Sequence, residues 1–389
     1  MIYDFSKPTN RLHTNSYKWD SAPNDDIIPL WVADMDFETY PAITEALQRR
    51  VAHGIFGYTR VPDAYYESVC QWFAKHHGWS INRSDIIYTS GVVPAISAII
   101  KALTLPGDQV IVQGPVYNCF YSSIRNNGCE MVSNSLIYNK ETLRYEMDFE
   151  DLDRKLSHER ARIMLLCNPH NPGGRVWSRE ELTHVAELCK KHGVRVVSDE
   201  IHCELTLHGN EYTPFGSLPD KLSFGSITCC SPSKAFNIAG LQIANIVCRD
   251  AAVRERVDRA ININEVCDVN PFGVEALMAA YTDGGEEWLM ELRKYLSDNY
   301  DMLLEFFARH LPQLPVVRME GTYIAWVDCS SLGEASEEIE ERLMKKNKVW
   351  VNAGSMYGKE GEHFIRINMA CPRERLEEGL RRIAEGIIS

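Results

Sequence analysis

Phe224-Gly-Ser-Ile-Thr-Cys-Cys-Ser-Pro-Ser-Lys234 is the stretch on which the reading of this chain turns. Residues 224–230 predict a strand, and a loop of small polar residues follows it directly. A lysine at the end of such a loop, beside a buried sheet edge, loses part of its proton affinity by desolvation. An imine-forming amine needs that property. The flanking hydroxyls of Ser231 and Ser233 are placed to bond a phosphate. Taken alone, Lys234 is equally an ordinary surface-loop lysine, so its meaning has to come from its surroundings.

Four other junctions repeat the pattern. Predicted strands at Asp85–Thr89, Gln109–Gln113, Arg162–Cys167 and Val194–Ser198 run directly into Ser90-Gly91, Gly114-Pro-Val-Tyr117, Asn168-Pro-His-Asn171 and Asp199. Between strands lie helical patterns. Val93, Ile96, Ile99, Ile100 and Leu103 keep i, i+3, i+4 spacing, with Pro94 in the first turn where a missing donor costs nothing. Leu182, Val185, Ala186 and Cys189 do the same ahead of Gly193. Strands alternating with helices predict an α/β fold with a mostly parallel, helix-covered sheet. The tail reads differently, as a long helical stretch over about 273–310, a strand Tyr323–Asp328, another helix and a strand Phe364–Met369. It predicts a smaller α+β domain.

In an open parallel sheet, ligands bind beyond the carboxyl ends of the strands. Five polar loops therefore converge on one edge. Ser90-Gly91 precedes a helix N-terminus, a natural phosphate seat. Asp199 ends a strand, where a carboxylate is able to pair with a cationic heterocycle nitrogen. Tyr117 is able to stack on an aromatic ligand. Arg366, alternating in Phe-Ile-Arg-Ile-Asn, is able to fork a carboxylate. No G-x-G-x-x-G or G-x-x-x-x-G-K-[ST] occurs, which removes the usual dinucleotide and P-loop readings.

Bulk properties set the bounds. With 389 residues the chain is long enough for two or three domains. A formal charge of −13 argues against a nucleic-acid surface. No apolar run approaches a membrane span, and the polar N-terminus lacks the apolar core of a secretory signal. The 12 cysteines are dilute, form no C-x-x-C and show no zinc spacing, so no metal site is expected. They read as free thiols in a reducing, cytoplasmic compartment.

Taken in order, Gly57-Tyr58, Ser90-Gly91-Val92, Tyr117, Asn168-Pro-His-Asn-Pro-Gly-Gly174, Asp199-Glu-Ile-His202, Ser231-Pro-Ser-Lys234 and Arg366 resemble the aspartate aminotransferase superfamily, fold type I of the enzymes dependent on pyridoxal 5′-phosphate (PLP). Pro29-Leu-Trp-Val-Ala-Asp-Met-Asp-Phe37, Asn15–Asp20, Phe56–Thr59 and Lys234–Leu241 are similar to its cystathionine β-lyase or C–S lyase branch, also labelled MalY/PatB-like. The resemblance implies an aspartate aminotransferase-like large domain with a seven-stranded sheet. It sets an N-terminal arm and part of the small domain at 1–48, the PLP-binding domain at 49–275 and the small C-terminal domain at 276–389. It implies that Lys234 carries the cofactor as a Schiff base and moves the Cα proton, and that Asp199 keeps the pyridine nitrogen protonated. Asn171 would bond the ring's phenolic oxygen, with His202 at the cofactor in the position where aminotransferases usually carry a tyrosine, and Gly91, Val92, Ser231 and Ser233 would seat the phosphate. Tyr117 would cover the ring, and either protonated Lys234 or Tyr117 would assist the departing thiolate. Arg366 and Asp34 would bind substrate, and Tyr58 would reach the neighbouring subunit's cofactor in a homodimer. The implied reaction is α,β-elimination from L-cystathionine or a related cysteine S-conjugate, with an aminotransferase of an L-amino acid as the alternative. One departure from the superfamily stands beside the lysine: Gln242 occupies a position where many members carry a phosphate-binding arginine.

Overall fold

The computed structural model describes residues 3–263 and 268–388. Its centre is a seven-stranded sheet. Across it the order is Ile86–Thr89, Ala244–Val247, Ile227–Cys230, Arg195–Asp199, Ala161–Cys167, Gln109–Val112 and Glu130–Ser133. All pairings are parallel except those of Ala244–Val247, which runs antiparallel to both neighbours.

The inner strands are largely apolar because both faces are covered, as parallel sheets require, whereas the edge strand Glu130–Ser133 starts exposed. Side chains alternate between faces along each strand. Val110, Val112, Ile163 and Leu165 therefore join one buried cluster with Ile96, Ile99 and Ile100 of the helix Val92–Leu103. Ile111, Met164, Leu166 and Val196 join a second cluster with Leu182, Val185 and Cys189 of the helix Arg179–His192. The latter helix is delimited as its sequence dictates. A capping box pairs Ser178 with Glu181 at its start, and Gly193 in the left-handed region ends it.

Two sequence expectations need correction. Pairing of the strand expected at Phe224–Cys230 begins only at Ile227, because Asp220–Ser223 is a helical turn. The single helical stretch expected over about 273–310 is two helices, Pro271–Ala280 and Asp283–His310. They part at Tyr281 because Thr282 becomes an N-cap, its hydroxyl accepting from the Gly285 N–H at 3.2 Å.

A smaller antiparallel sheet is built from Ile324–Asp328, Phe364–Asn368 and Asn352–Ala353, with Phe364–Asn368 in the middle. Ile28–Pro29 pairs in parallel with Val349–Trp350, tying the N-terminal region to the chain's last third. Beyond that pair the N-terminal arm has little regular structure ahead of the helix Pro41–His53; Phe5, Leu30, Met35 and Phe37 pack into the main apolar cluster, and polar contacts tie the rest. Asp36, 1% exposed, accepts from Arg11 Nη1 (2.8 Å), Trp19 Nε1 (2.9 Å) and Lys18 Nζ (3.1 Å). Arg375 Nη1 lies 3.3 Å away. Burial opposes its charge, but Lys18, the Trp19 N–H, Arg375 and Arg11 together hold Asp36 below the usual carboxylate range.

Asp36→Ala leaves the fully buried Lys18 without its closest partner. The expected loss is about 3–5 kcal/mol in urea unfolding. Lys7→Ala removes a pair with Glu38 whose side chains are 61% and 67% exposed, and should change stability by less than about 1 kcal/mol. Equal effects of the two substitutions would refute this account of the arm.

Candidate active site

The five polar loops do meet. Ser90-Gly91, Gly114–Tyr117, Asn168–Asn171, Asp199–His202 and Ser231–Lys234 all leave the same edge of the large sheet, since their strands all run in one direction. Arg366 comes to this edge from the middle strand of the small sheet.

The Lys234 amine donates to the Ala33 carbonyl at 2.6 Å. Burial, and then the positive charge of Arg366, bring its pKa down to about 8, against the pull of Asp34, Asp199 and Cys119. Asp199 is buried and accepts from the Ile201 N–H at 3.1 Å. Burial raises it to about 7, while the Ile201 N–H and the charge of Lys234 work the other way. His202 is pushed down to about 3 by burial and by the cations Lys234 and Arg366, so its ring is neutral. Its Nδ1 is buried with no hydrogen-bond partner among the described residues.

Arg366, 4% exposed, donates to the Trp31 carbonyl at 2.8 Å and to Asn171 Oδ1 at 3.4 Å, and lies 4.7 Å over the Tyr357 ring. Its buried Nε has no partner among the described residues. Tyr117 is half-buried. Burial raises its pKa, and its hydroxyl lies in hydrogen-bonding contact with the Cys119 thiol and within reach of the charges of Asp199 and Arg366.

At the other end, Gly91 holds φ +146° immediately before the helix Val92–Leu103, whose first N–H groups receive no side-chain cap. Ser231 and Ser233 are both buried here, but differently engaged. The Ser231 hydroxyl donates to the Ile243 carbonyl and accepts from the Ser233 N–H at 3.1 Å, so it shapes the loop. The Ser233 hydroxyl has no partner among the described residues. Gln242 is exposed at φ +49° and brings no charge.

Two expected residues stand apart. The Asp34 carboxylate is forked by Arg11, with contacts of 2.6 and 3.1 Å, so it faces the site through its charge on Lys234. Tyr58 is 98% exposed, away from the buried groups of its own chain.

Residues that the sequence reading did not single out connect these parts. Asn237, three positions after Lys234 and at φ +54°, accepts from Met35 N (3.0 Å) and donates to the carbonyls of Met35 (3.0 Å) and Phe37 (2.8 Å). Asn368 donates to the carbonyls of Val32 and Asp34 (2.6 Å for the latter). The Tyr323 hydroxyl shares the Ala33 oxygen with Lys234, at 2.9 Å. Asn237 lies within the quoted Lys234–Leu241 motif, which was the available signal for it. Tyr323 and Asn368 carry none in their spacing.

The chain belongs to the class I and II aminotransferases, whose family description matches residues 25–383. It is 44% identical to the cystathionine beta-lyase PatB of Bacillus subtilis over 384 residues, 98% of each chain. Its fold superposes on cystalysin from Treponema denticola, a structure containing a pyridoxal 5′-phosphate cofactor, with TM-score 0.96 and 32% identity, covering 100% of this chain and 99% of that one. A PLP-bound C–S lyase from Staphylococcus hominis gives TM-score 0.92, 32% identity and coverage of 100% and 99%.

The buried groups make a pH prediction with opposing signs. Unfolded, His202 takes up a proton near its ordinary value of about 6.5; folded, it does so only near 3. The stability linked to its neutral ring is present above the unfolded value and is lost as pH falls from about 6.5 toward 3, at about 1.4 kcal/mol per pH unit. Asp199 acts oppositely, because the folded chain keeps a proton up to about 7 that the unfolded chain loses near 3.8. His202→Gln removes one side of this balance. In urea unfolding without added cofactor, the variant should gain on the wild type by about 1.4 kcal/mol per unit as pH falls from 6.5 to 4. Parallel stability curves would refute the assignment.

Proposed function

We propose that this chain is a PLP-dependent C–S β-lyase that cleaves L-cystathionine or a related cysteine S-conjugate to pyruvate, ammonia and a thiol. The observation that carries the reading is the meeting of Lys234, Asp199 and Arg366 within electrostatic reach of one another, in a chain so similar to PatB.

The residues present fit the cofactor. The uncapped helix N-terminus at Gly91-Val92, with the Ser231–Ser233 loop, offers N–H and hydroxyl donors to a phosphate. Asp199 is a buried acid with a single backbone N–H on its carboxylate, suited to a protonated pyridine nitrogen. Asn171 and the unpartnered His202 Nδ1 offer hydrogen bonds to the ring's phenolic oxygen, and Tyr117 covers the ring. When bound, PLP supplies an electron sink for the pair left at Cα after deprotonation.

The protein's own groups do the rest. Arg366 binds the substrate α-carboxylate, for which its free Nε is available. Lys234, its affinity for a proton already reduced, takes the Cα proton. The protonated Lys234 or the Tyr117 hydroxyl then donates to the departing thiolate. The Trp31–Phe37 segment lies against Lys234 through the Ala33 carbonyl. Asp34 contributes its charge beside the lysine.

We divide the chain functionally into the arm and part of the small domain (1–48), the PLP-binding domain (49–275) and the small domain (276–389). The assembly we propose is a cytoplasmic homodimer. Ile55, Phe56 and Tyr58 are 65%, 58% and 98% exposed on one short segment, a run of large apolar side chains suited to burial against a second copy. There Tyr58 would reach the partner's phosphate seat.

Purified protein should form pyruvate and free thiol from L-cystathionine with no 2-oxo acid added. Product only when a 2-oxo acid is supplied would overturn the lyase reading in favour of transamination. Lys234→Ala should lose the visible absorption of lysine-bound cofactor, and Arg366→Leu should lower kcat/KM roughly 10- to 150-fold, the worth of a charged hydrogen bond. For the shared site, mixing inactive Lys234→Ala and Tyr58→Ala dimers under subunit exchange should restore activity. Failure to do so, with exchange verified, would place Tyr58 outside the partner's site.

A further inference from the structure

The Ala33 oxygen receives two donors, Lys234 Nζ at 2.6 Å and the Tyr323 hydroxyl at 2.9 Å. A carbonyl oxygen has two lone pairs and only accepts, so both groups donate and the oxygen is saturated. Its direction is fixed from both sides. Asn368 holds the carbonyls of Val32 and Asp34, and Asn237 holds both backbone groups of Met35. Asn237 belongs to the same loop as Lys234, so the lysine and its acceptor form one unit. Tyr323 is fully buried, and its ring stands edge-on to His202, with centroids 5.9 Å apart and planes at 72°. A hydroxyl so placed cannot turn to water.

Resting on the cofactor reading above, we propose that the Ala33 carbonyl is the acceptor that holds the Lys234 amine whenever that amine is not bonded to PLP, and that Tyr323 is a positioning residue which competes for the same oxygen and so weakens the hold. The amine alternates between bonding the cofactor and carrying a proton. An oxygen given wholly to it would stabilise the ammonium and delay both steps. A second donor on that oxygen reduces the electron density available to the ammonium. The other groups facing Lys234 are the charged or titratable Arg366, Asp34, Asp199, Cys119 and His202; Tyr323 itself lies near Asp34, Arg366 and Tyr117, and its change to phenylalanine removes none of their charges.

Tyr323→Phe removes only the hydroxyl and keeps the ring against His202, so the fold is preserved. The measurement is the rate at which apoenzyme gains the visible absorption of lysine-bound cofactor on mixing with PLP, followed from pH 6 to 10. In the variant the midpoint should move up by roughly a few tenths of a unit, the worth of about 10–30% of one charged hydrogen bond. The acidic limb of kcat/KM should move in the same direction, while KM at high pH stays within about twofold. A midpoint that is unchanged or moves down overturns the proposal. Wild-type protein that never forms the band sinks the cofactor reading and this proposal together.

Discussion

A run of irregular backbone, Trp31–Phe37, lies between the two sheets, and the site depends on how its peptide groups are paired. Buried carbonyl and N–H groups outside a helix or sheet must find partners, or each costs as much as a lost hydrogen bond. The partners come from both sides. Asn237 reaches over from the large-sheet lysine loop, while Arg366, Asn352 and Asn368 reach over from the small sheet. Satisfying the backbone of one segment therefore fixes the lysine relative to the arginine. On the roles proposed for Arg366 and Lys234, substrate recognition and proton transfer would be placed at a set distance by contacts that involve neither substrate nor cofactor.

The electrostatics follow from that closure. With water kept away, each buried group moves toward its neutral form: Lys234 and His202 down, Asp199 up. Two cations, Lys234 and Arg366, share the space and push each other's neighbours further. Asp34 would offset them most simply, but Arg11 and Lys18 already draw on its charge. The arm thus contributes a partly spent carboxylate, enough to moderate Lys234 without capturing its proton. The buried Asp36 cluster, two residues further along the chain, anchors the arm that delivers it.

Much of this was legible in the sequence, for definite reasons. Apolar runs ending in polar loops located five parallel strands and the edge where they terminate, because burial on both faces leaves a continuous hydrophobic signature. Strand direction leaves none. The antiparallel strand Ala244–Val247 is as apolar as its neighbours, and only the short connection from Ser231 through Gln242 reverses it. Asp199, Lys234 and Arg366 were readable because each follows or occupies a strand. Tyr323, Asn237 and Asn368 act by side-chain bonds to backbone some 200 to 335 positions away, and no local spacing encodes such a contact. Asp34 shows the converse limit: its place was legible, but its commitment to Arg11 was not.

Gln242 shows how the same closure shapes cofactor retention. A cation at this position would meet a phosphate seated at Gly91 and the Ser231–Ser233 loop. The glutamine is exposed instead, held by a left-handed turn that returns the chain into the antiparallel strand. The proposed seat is left to neutral donors: the free N–H groups of the helix Val92–Leu103 and the Ser233 hydroxyl. Helix N-termini hold anions through oriented dipoles that act at short range and are screened by salt in open solvent. A seat of this kind holds phosphate well only where water is excluded. On the Lys234 side the arm supplies the Ala33 carbonyl, whereas the Ile55–Tyr58 segment is largely exposed, touching its own chain where Phe56 meets Phe272 at 5.8 Å. In the homodimer proposed above, a second copy covering the phosphate end would supply that exclusion along with the Tyr58 hydroxyl, and dimerisation would then be coupled to cofactor retention.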